Sequence, residues 1–125
     1  MIHGIGTDLV QLRRMREALE RHGERFALRI LAASEVEAWR AHRDPARFLA
    51  KRFAAKEALG KAFGCGVRDP VLLPDIAVEH DALGKPFFSY SPRLAAHLAE
   101  RALTAHLSIS DEQDYAVAFV ILEKP

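Results

Sequence analysis

A lone carboxylate stands among cations in residues 52–64, which read Arg-Phe-Ala-Ala-Lys-Glu-Ala-Leu-Gly-Lys-Ala-Phe-Gly. The carboxylate is Glu57, and Lys61 follows four residues later, so on a helix both side chains share one face. A hard divalent cation takes carboxylate oxygens, and a nearby ammonium can hold a phosphate that the cation also grips. The pattern therefore indicates a metal and polyphosphate site. The same spacing is also typical of a solvated ion pair on a helix surface.

A second carboxylate, Asp8, ends the segment Gly-Ile-Gly-Thr-Asp at residues 4–8. We expect it at the end of a strand and before a helix, where it can be presented to a ligand. The alternative is that Asp8 caps the first helix, because Asp-Leu-Val-Gln at residues 8–11 has the spacing of a capping box.

A turn with the sequence Gly84-Lys85-Pro86 stands between two predicted strands. Glycine supplies the unusual backbone of such a turn and lets a phosphate or a base approach closely. An ordinary hairpin turn would use the same residues.

Residues 106–110 read His-Leu-Ser-Ile-Ser, so His106, Ser108 and Ser110 share one face of a strand. Such a polar face could bind phosphate or ribose, or it could be the solvated side of an edge strand. No Gly-x-Ser-x-Gly elbow, Walker A motif or Gly-x-Gly-x-x-Gly motif occurs in the chain.

The composition predicts one globular domain over residues 1–125, since half of the residues are hydrophobic and 28% are charged. The net charge of +1 argues against a general nucleic-acid binder. The single cysteine, Cys65, excludes an internal disulfide and a multi-cysteine zinc site. We expect no membrane span and a cytoplasmic location, because no long apolar run and no signal-peptide pattern is present.

Helical patterns dominate the first half of the chain. A short strand is predicted at residues 2–6, followed by a helix with apolar positions Leu9, Leu12, Met15 and Leu19. Ser-Glu-Val-Glu at residues 34–37 has capping-box spacing and predicts a helix through Trp39. Asp44 and Pro45 predict the start of a long helix that runs to Phe63.

Strand patterns dominate the second half. A hairpin is predicted from strands at residues 75–80 and 86–90, and Ser91-Pro92 predicts a helix with Leu94, Leu98 and Ala102 on one face. Strands at residues 107–109 and 116–122 close the chain. Because helices and hairpins are segregated, we predict an α+β fold with helices packed on a largely antiparallel sheet.

Taken together, these motifs resemble the bacterial holo-acyl-carrier-protein synthases, which are short single-domain 4′-phosphopantetheinyl transferases. The resemblance rests on four segments that occur in the family's order and rough spacing, and it covers essentially the whole chain. The segments are residues 4–10, 52–64, 84–86 and 106–110.

The resemblance implies transfer of 4′-phosphopantetheine from coenzyme A to a serine of apo-acyl carrier protein, which releases adenosine 3′,5′-bisphosphate. It implies that Asp8 and Glu57 bind Mg²⁺ and that Lys61 steadies the pyrophosphate. It also implies that Glu57, directly or through water on the metal, accepts the serine proton. Coenzyme A would be a co-substrate rather than a resident group.

The resemblance also suggests residues for the nucleotide end of coenzyme A. The candidates are Arg52, Lys85 and His106. Among them, Arg52 suits the 3′-phosphate, because its guanidinium is fork-shaped. Gly84 and Pro86 would pack near the adenosine with Lys85. Ser110 is a further candidate.

An arginine-rich first helical region suggests a protein partner. Its cations include Arg13, Arg14, Arg21 and Arg25. They would steer an acidic acyl carrier protein, although a solvated face offset by glutamates is the simpler reading.

Members of the family are typically homotrimers, so Asp8 and Glu57 would face Gly84-Lys85-Pro86 or His106 of a neighbouring chain. Strands 86–90 and 116–122 would otherwise leave apolar edges exposed. Asp111 stands where the family commonly has a histidine, and we expect it to repel a nucleotide phosphate. Two alternatives to the transferase are a non-catalytic module that binds an acidic protein and a metal-dependent nucleotide phosphohydrolase.

Overall fold

A computed structural model describes residues 1–125 and has the predicted α+β fold. The helices are α1 (Leu12–His22), α2 (Glu24–Ile30), α3 (Val36–Ala41), α4 (Pro45–Phe63) and α5 (Pro92–Glu100). The strands are β1 (Ile2–Gln11), β2 (Ile76–His80), β3 (Pro86–Tyr90), β4 (Thr104–Asp111) and β5 (Tyr115–Glu123). β1, β5 and β4 form an antiparallel sheet in that order, and β2 and β3 form a separate antiparallel hairpin. None of the helices combines the length and the apolar character that a membrane crossing requires.

The long helix α4 begins and ends as the sequence predicts. The Asp44 side chain caps it by accepting a hydrogen bond from the backbone N–H of Arg47 at 3.2 Å, and Pro45 takes the first helical position. Gly64 ends it in the left-handed region, with φ of 99°. The helix buries a run of alanines, which lets a neighbouring strand approach its backbone.

That neighbouring strand is β1, and its glycines make the close approach possible. A Cβ atom on Gly6 would lie 1.9 Å from the carbonyl oxygen of Ala58, and one on Gly4 would lie 2.0 Å from that of Ala62. Both distances are far inside van der Waals contact, so only glycine fits at these positions. Asp8 follows on the same face of β1 two residues after Gly6 and is therefore held against α4.

β1 is longer than predicted, and this corrects the expected position of Asp8 at a strand end and removes the alternative of a helix cap. The strand does not end at Gly6, because Thr7 to Gln11 pair with Phe119 to Tyr115 of β5. Leu9, which fits the period of a helix, is a strand residue with 65% of its surface exposed. The first helix begins only at Leu12, so Asp8 is not its N-cap.

The sheet has a buried face and an open one. Alternate residues of β5 from Ala116 to Leu122 are buried against α4. The opposite face carries exposed apolar side chains from two strands, and we call it the outer sheet face. Its members are Ile5, Leu9, Tyr115 and Phe119. The prediction of an apolar edge at residues 116–122 is wrong, because β5 is the central strand and both of its edges are paired.

Two smaller predictions also differ from the structure. The capping box of Ser34 is not formed, and a 3-10 turn at Ala33–Glu35 precedes α3, where the Glu35 carboxylate accepts from the N–H of Ala32 at 2.9 Å. α5 buries Leu94 and Leu98 as predicted, but Ala102 lies beyond its end at φ of 53°.

Candidate active site

Three predicted site residues meet where β1 crosses α4. Nζ of Lys61 donates to Oδ1 of Asp8 at 3.0 Å and to the carbonyl oxygen of Thr7 at 2.9 Å. Glu57 lies one helical turn before Lys61 and is partly buried. Burial and the negative charge of Asp8 raise the pKa of Glu57, although the Lys61 ammonium partly offsets them. Lys61 thus pairs with Asp8 rather than with Glu57, its partner in a simple helix-surface pair.

The two carboxylates fit a magnesium ion. Burial is the main cause of the raised pKa of Glu57 and the negative charge of Asp8 is the second, and a divalent cation would offset that negative charge. No group of three or more histidine, cysteine, aspartate or glutamate side chains could hold a metal in this chain. Mg²⁺ suits a site of two carboxylates, because it keeps several waters and fills its other positions with phosphate oxygens.

A cavity of about 250 Å³ opens beside Asp8, between the end of β1 and the first two helices. Its lining residues are Asp8, Leu9, Val10, Gln11, Arg14, Met15, Phe26 and Phe53. The walls are mainly apolar, and Arg14 and Asp8 provide the charged groups. This cavity lies between Asp8 and the arginine-rich helix α1.

Arg52 lies apart from the carboxylates, in the first half of α4. Its guanidinium stacks 4.3 Å from the ring centre of Phe48, and its Nε lies 3.2 Å from Oε2 of Glu35. It lines a second cavity of about 260 Å³, which we call the cationic cavity. The residues around that cavity are His42, Arg47, Phe48, Lys51, Arg52 and His80.

Three cations line the cationic cavity, and each has an acidic partner, Asp111 for Arg47 and Lys51 and Glu35 for Arg52. No acidic side chain lines it. Burial, together with the positive charges of Arg52 and Lys51, lowers the pKa of His80. Of the cations here, the sequence motifs indicate only Arg52, although the four-residue spacing of Arg47 and Lys51 on α4 is a signal for the other two.

The predicted residues of the second half make no hydrogen bond or ion pair with Asp8 or Glu57 within one chain. Gly84 lies in the hairpin turn at φ of 86°, and Lys85 is exposed there. His106 and Ser110 alternate on β4 as predicted, and both are exposed. Nε2 of His106 lies 2.9 Å from Oε1 of Glu123.

Asp111 does not stand as an isolated negative charge. Its carboxylate accepts from Nη1 of Arg47 at 2.8 Å and lies 3.5 Å from Nζ of Lys51. The repulsion that the sequence predicts for a phosphate is therefore offset by two cations of the same chain. Asp111 ties the end of β4 to the first half of α4.

The predicted partner residues form an open basic surface on the first two helices. All four of Arg13, Arg14, Arg21 and Arg25 are exposed. Arg21 and Arg25 line a groove of about 370 Å³ together with His22, Phe26 and Arg29. Arg13 pairs with Glu17 at 3.7 Å, an exposed contact that constrains the surface little.

The comparison with known families identifies the class. A family model described as the 4′-phosphopantetheinyl transferase superfamily matches residues 4–120. The chain belongs to this superfamily, and it is a phosphopantetheinyl transferase.

Individual relatives within the superfamily show which kind of transferase the chain is most similar to. A holo-acyl-carrier-protein synthase of Azoarcus sp. (strain BH72) is 66% identical over 123 residues, which are 98% of each chain. The crystal structure of the synthase from Neisseria meningitidis has a TM-score of 0.96 and 47% identity, and the match covers 99% of this chain and 100% of that one. The synthase from Bacillus anthracis, solved in complex with CoA (3′,5′-ADP), has a TM-score of 0.85 and 37% identity, with 100% and 99% covered. The resemblance drawn from the motifs is confirmed.

Proposed function

We propose that this protein transfers the 4′-phosphopantetheine group of coenzyme A to a serine of an apo-acyl carrier protein. The observation that carries the proposal is the meeting of Asp8, Glu57 and Lys61 in a chain of this family. The relative from Bacillus anthracis that was solved with a coenzyme A nucleotide supports the choice of donor. The products would be holo-acyl carrier protein and adenosine 3′,5′-bisphosphate.

The residues divide the chemistry between them. Mg²⁺, when bound by Asp8 and Glu57, would neutralise charge on the pyrophosphate of coenzyme A. Lys61 would turn from Asp8 to the pyrophosphate and stabilise the negative charge of the leaving group. Glu57 would accept the proton of the attacking serine.

The nucleotide end of coenzyme A would enter the cationic cavity. Arg52 and Lys51 would face its phosphate there, since no acidic side chain lines the cavity. Lys85 and His106 do not line this cavity within one chain. They would join it from a neighbouring chain.

We further propose a homotrimer, in which each chain acts as one domain over residues 1–125. The outer sheet face supports this assembly, because Ile5, Leu9 and Phe119 expose between 42% and 65% of their surface on one continuous sheet. Burial of that face between chains would bring residues of β4 close to a partner's site. We place the enzyme in the cytoplasm, where acyl carrier proteins and coenzyme A would be its partners.

Intact mass analysis of the carrier tests the proposal directly. Apo-acyl carrier protein is incubated with the enzyme, coenzyme A and Mg²⁺, and the carrier should gain one phosphopantetheine group. The gain should disappear with Asp8→Ala, with Glu57→Ala and with excess chelator. Glu37→Ala, at an exposed position on α3, is the matched control and should transfer normally. Failure of the wild-type protein with several carriers would favour a binding module instead.

A further inference from the structure

A buried ion pair lies behind the site and takes no part in the chemistry described so far. The side chain of Lys56 is fully buried and that of Glu35 is 3% exposed, and Nζ lies 2.6 Å from Oε1. The same Nζ donates to the carbonyl oxygen of Ile30 at 2.7 Å and to that of Leu73 at 3.3 Å. Lys56 is therefore well satisfied and has no free donor to offer a substrate.

The other oxygen of the Glu35 carboxylate contacts residues of two elements that line the cationic cavity. Oε2 accepts from the backbone N–H of Val78 in β2 at 2.8 Å. It also lies 3.2 Å from Nε of Arg52, which is buried and makes no aligned hydrogen bond. One carboxylate oxygen thus contacts a residue of α4 and a residue of the hairpin.

Both of these elements line the cationic cavity. Arg52 lines it from α4, and His80 lines it from the end of β2, two residues after Val78. The hairpin is a separate sheet, so strand pairing does not fix it to the main sheet. A contact that spans both elements sets the distance between the cavity walls.

We propose that Glu35 is a positioning residue for the nucleotide: it holds Arg52 and β2 so that the guanidinium of Arg52 meets the phosphate that enters the cationic cavity. The inference rests on the proposed function, since it takes coenzyme A as the ligand. Glu35 itself touches no substrate and acts through Arg52. The stacking of Arg52 on Phe48 supports the same orientation from the other side.

The test measures binding of adenosine 3′,5′-bisphosphate by isothermal titration calorimetry, together with the KM for each substrate. Glu35→Gln keeps the shape of the side chain and removes its charge. It should weaken nucleotide binding and raise the KM for coenzyme A on the order of tenfold, because the guanidinium is no longer oriented. The KM for the carrier protein should stay within about twofold.

Two controls separate positioning from stability. Lys56→Met removes the buried cation but leaves the contact between Glu35 and Arg52, so it should lower Tm with little change in nucleotide affinity. Glu37→Gln is a nearby exposed control and should change neither. If Glu35→Gln does not fold, Glu35→Asp keeps the charge one methylene further away and should weaken binding by a smaller factor. Equal losses of affinity in Glu35→Gln and Lys56→Met, in step with Tm, would overturn the proposal.

A double variant separates the proposed role of Glu35 from the proposed transferase function. In an Arg52→Gln background, Glu35→Gln should cause no further loss of nucleotide affinity. Additive losses, or a loss with Arg52→Gln and none with Glu35→Gln, would overturn the role of Glu35 alone. If Arg52→Gln leaves binding unchanged, the placement of the nucleotide in this cavity is wrong, while carrier modification still decides the transferase activity.

Discussion

Nζ of Lys61 lies 3.0 Å from Oδ1 of Asp8, so a cation of the chain occupies one oxygen of the proposed metal ligand. Half of the Lys61 side chain is exposed, against 15% for Asp8. An ion pair open to water on one side contributes at most about 1 kcal/mol, which a bound ligand can easily replace. Lys61 is therefore placed to exchange Asp8 for an incoming pyrophosphate.

Lys61→Met tests this exchange with two opposite effects. The transfer rate should fall on the order of a hundredfold, because the leaving group loses a fixed positive charge. Mg²⁺ should bind the free enzyme more tightly than wild type, because Asp8 no longer has a competing cation. Calorimetry with MgCl₂ and a transfer assay measure the two effects, and Lys124→Met serves as an exposed control. Unchanged affinity for Mg²⁺ would show that Lys61 does not compete for Asp8.

Glu57 gives the chain a predictable pH dependence. Its pKa in the folded state is raised above the ordinary value of 4.5, so the folded state binds this proton more tightly than the unfolded state. The protonated Glu57 therefore makes its whole contribution to the free energy of unfolding below about pH 4.5. That contribution is lost as the pH rises through the higher pKa of the folded state. Metal-free wild type should therefore be less stable at neutral pH than Glu57→Gln, and the difference should vanish near pH 4.

Thermal unfolding with and without Mg²⁺ measures this effect. At neutral pH the metal should raise the Tm of wild type and leave that of Glu57→Gln nearly unchanged. Glu37→Gln should behave as wild type in both conditions. A lower Tm for metal-free Glu57→Gln at neutral pH would mean that Glu57 stabilises the fold as a charged group, contrary to the expected sign.

Gly6→Ala tests the close packing that places Asp8. The new Cβ would lie 1.9 Å from the carbonyl oxygen of Ala58, and a helix backbone cannot yield as a flexible side chain can. The substitution should cost roughly 1–3 kcal/mol of unfolding free energy or more. Denaturant titration measures it, with Gly64→Asn as control, because nothing lies within 4 Å of a Cβ at that position and asparagine is tolerated at a left-handed helix C-cap. Equal stabilities would show that β1 can withdraw from α4 without cost.

The sequence predicts the elements of this fold better than their ends. α4 carries its own start and stop signals at Asp44 and Gly64, and both are confirmed. β1 was cut short because its second half has a helix-like period, and only the pairing of Leu9 with Val117 of β5 settles that it is a strand. Local patterns do not contain such long-range pairing.

The residues around the site also include some that the sequence indicates and some that only the tertiary structure shows. Residue type and spacing single out Glu57 and Lys61, the family resemblance pairs Asp8 with Glu57, and the fold brings the three residues together. The sequence does not indicate a role for Glu35, because its context resembles a helix cap. The burial of Lys56 against it depends on tertiary packing. A helical sequence pattern does not show which of several lysines is buried.

Charge reversal on α1 tests the proposed carrier-docking surface. Arg14→Glu with Arg21→Glu should raise the KM for the carrier protein on the order of tenfold, because complementary charge steers the encounter. The effect should shrink at high salt, and calorimetry should give an unchanged affinity for coenzyme A. Arg68→Glu, exposed on the connector after α4, is the control for total charge. An unchanged carrier KM would remove this surface from the docking model.

Phe119→Asp tests the proposed trimer. Phe119 lies on the central strand with 42% of its surface exposed, and a carboxylate there would be desolvated at the centre of a buried interface. Sedimentation should show a trimer for wild type and a monomer for the variant, and transfer should fall with the trimer because Lys85 and His106 would no longer reach a partner's carboxylates. Leu72→Asp, at an apolar residue of similar exposure outside the sheet, should remain trimeric and active. A monomeric variant with full activity would mean that one chain holds a complete site, and Lys85 and His106 would then lose their proposed role.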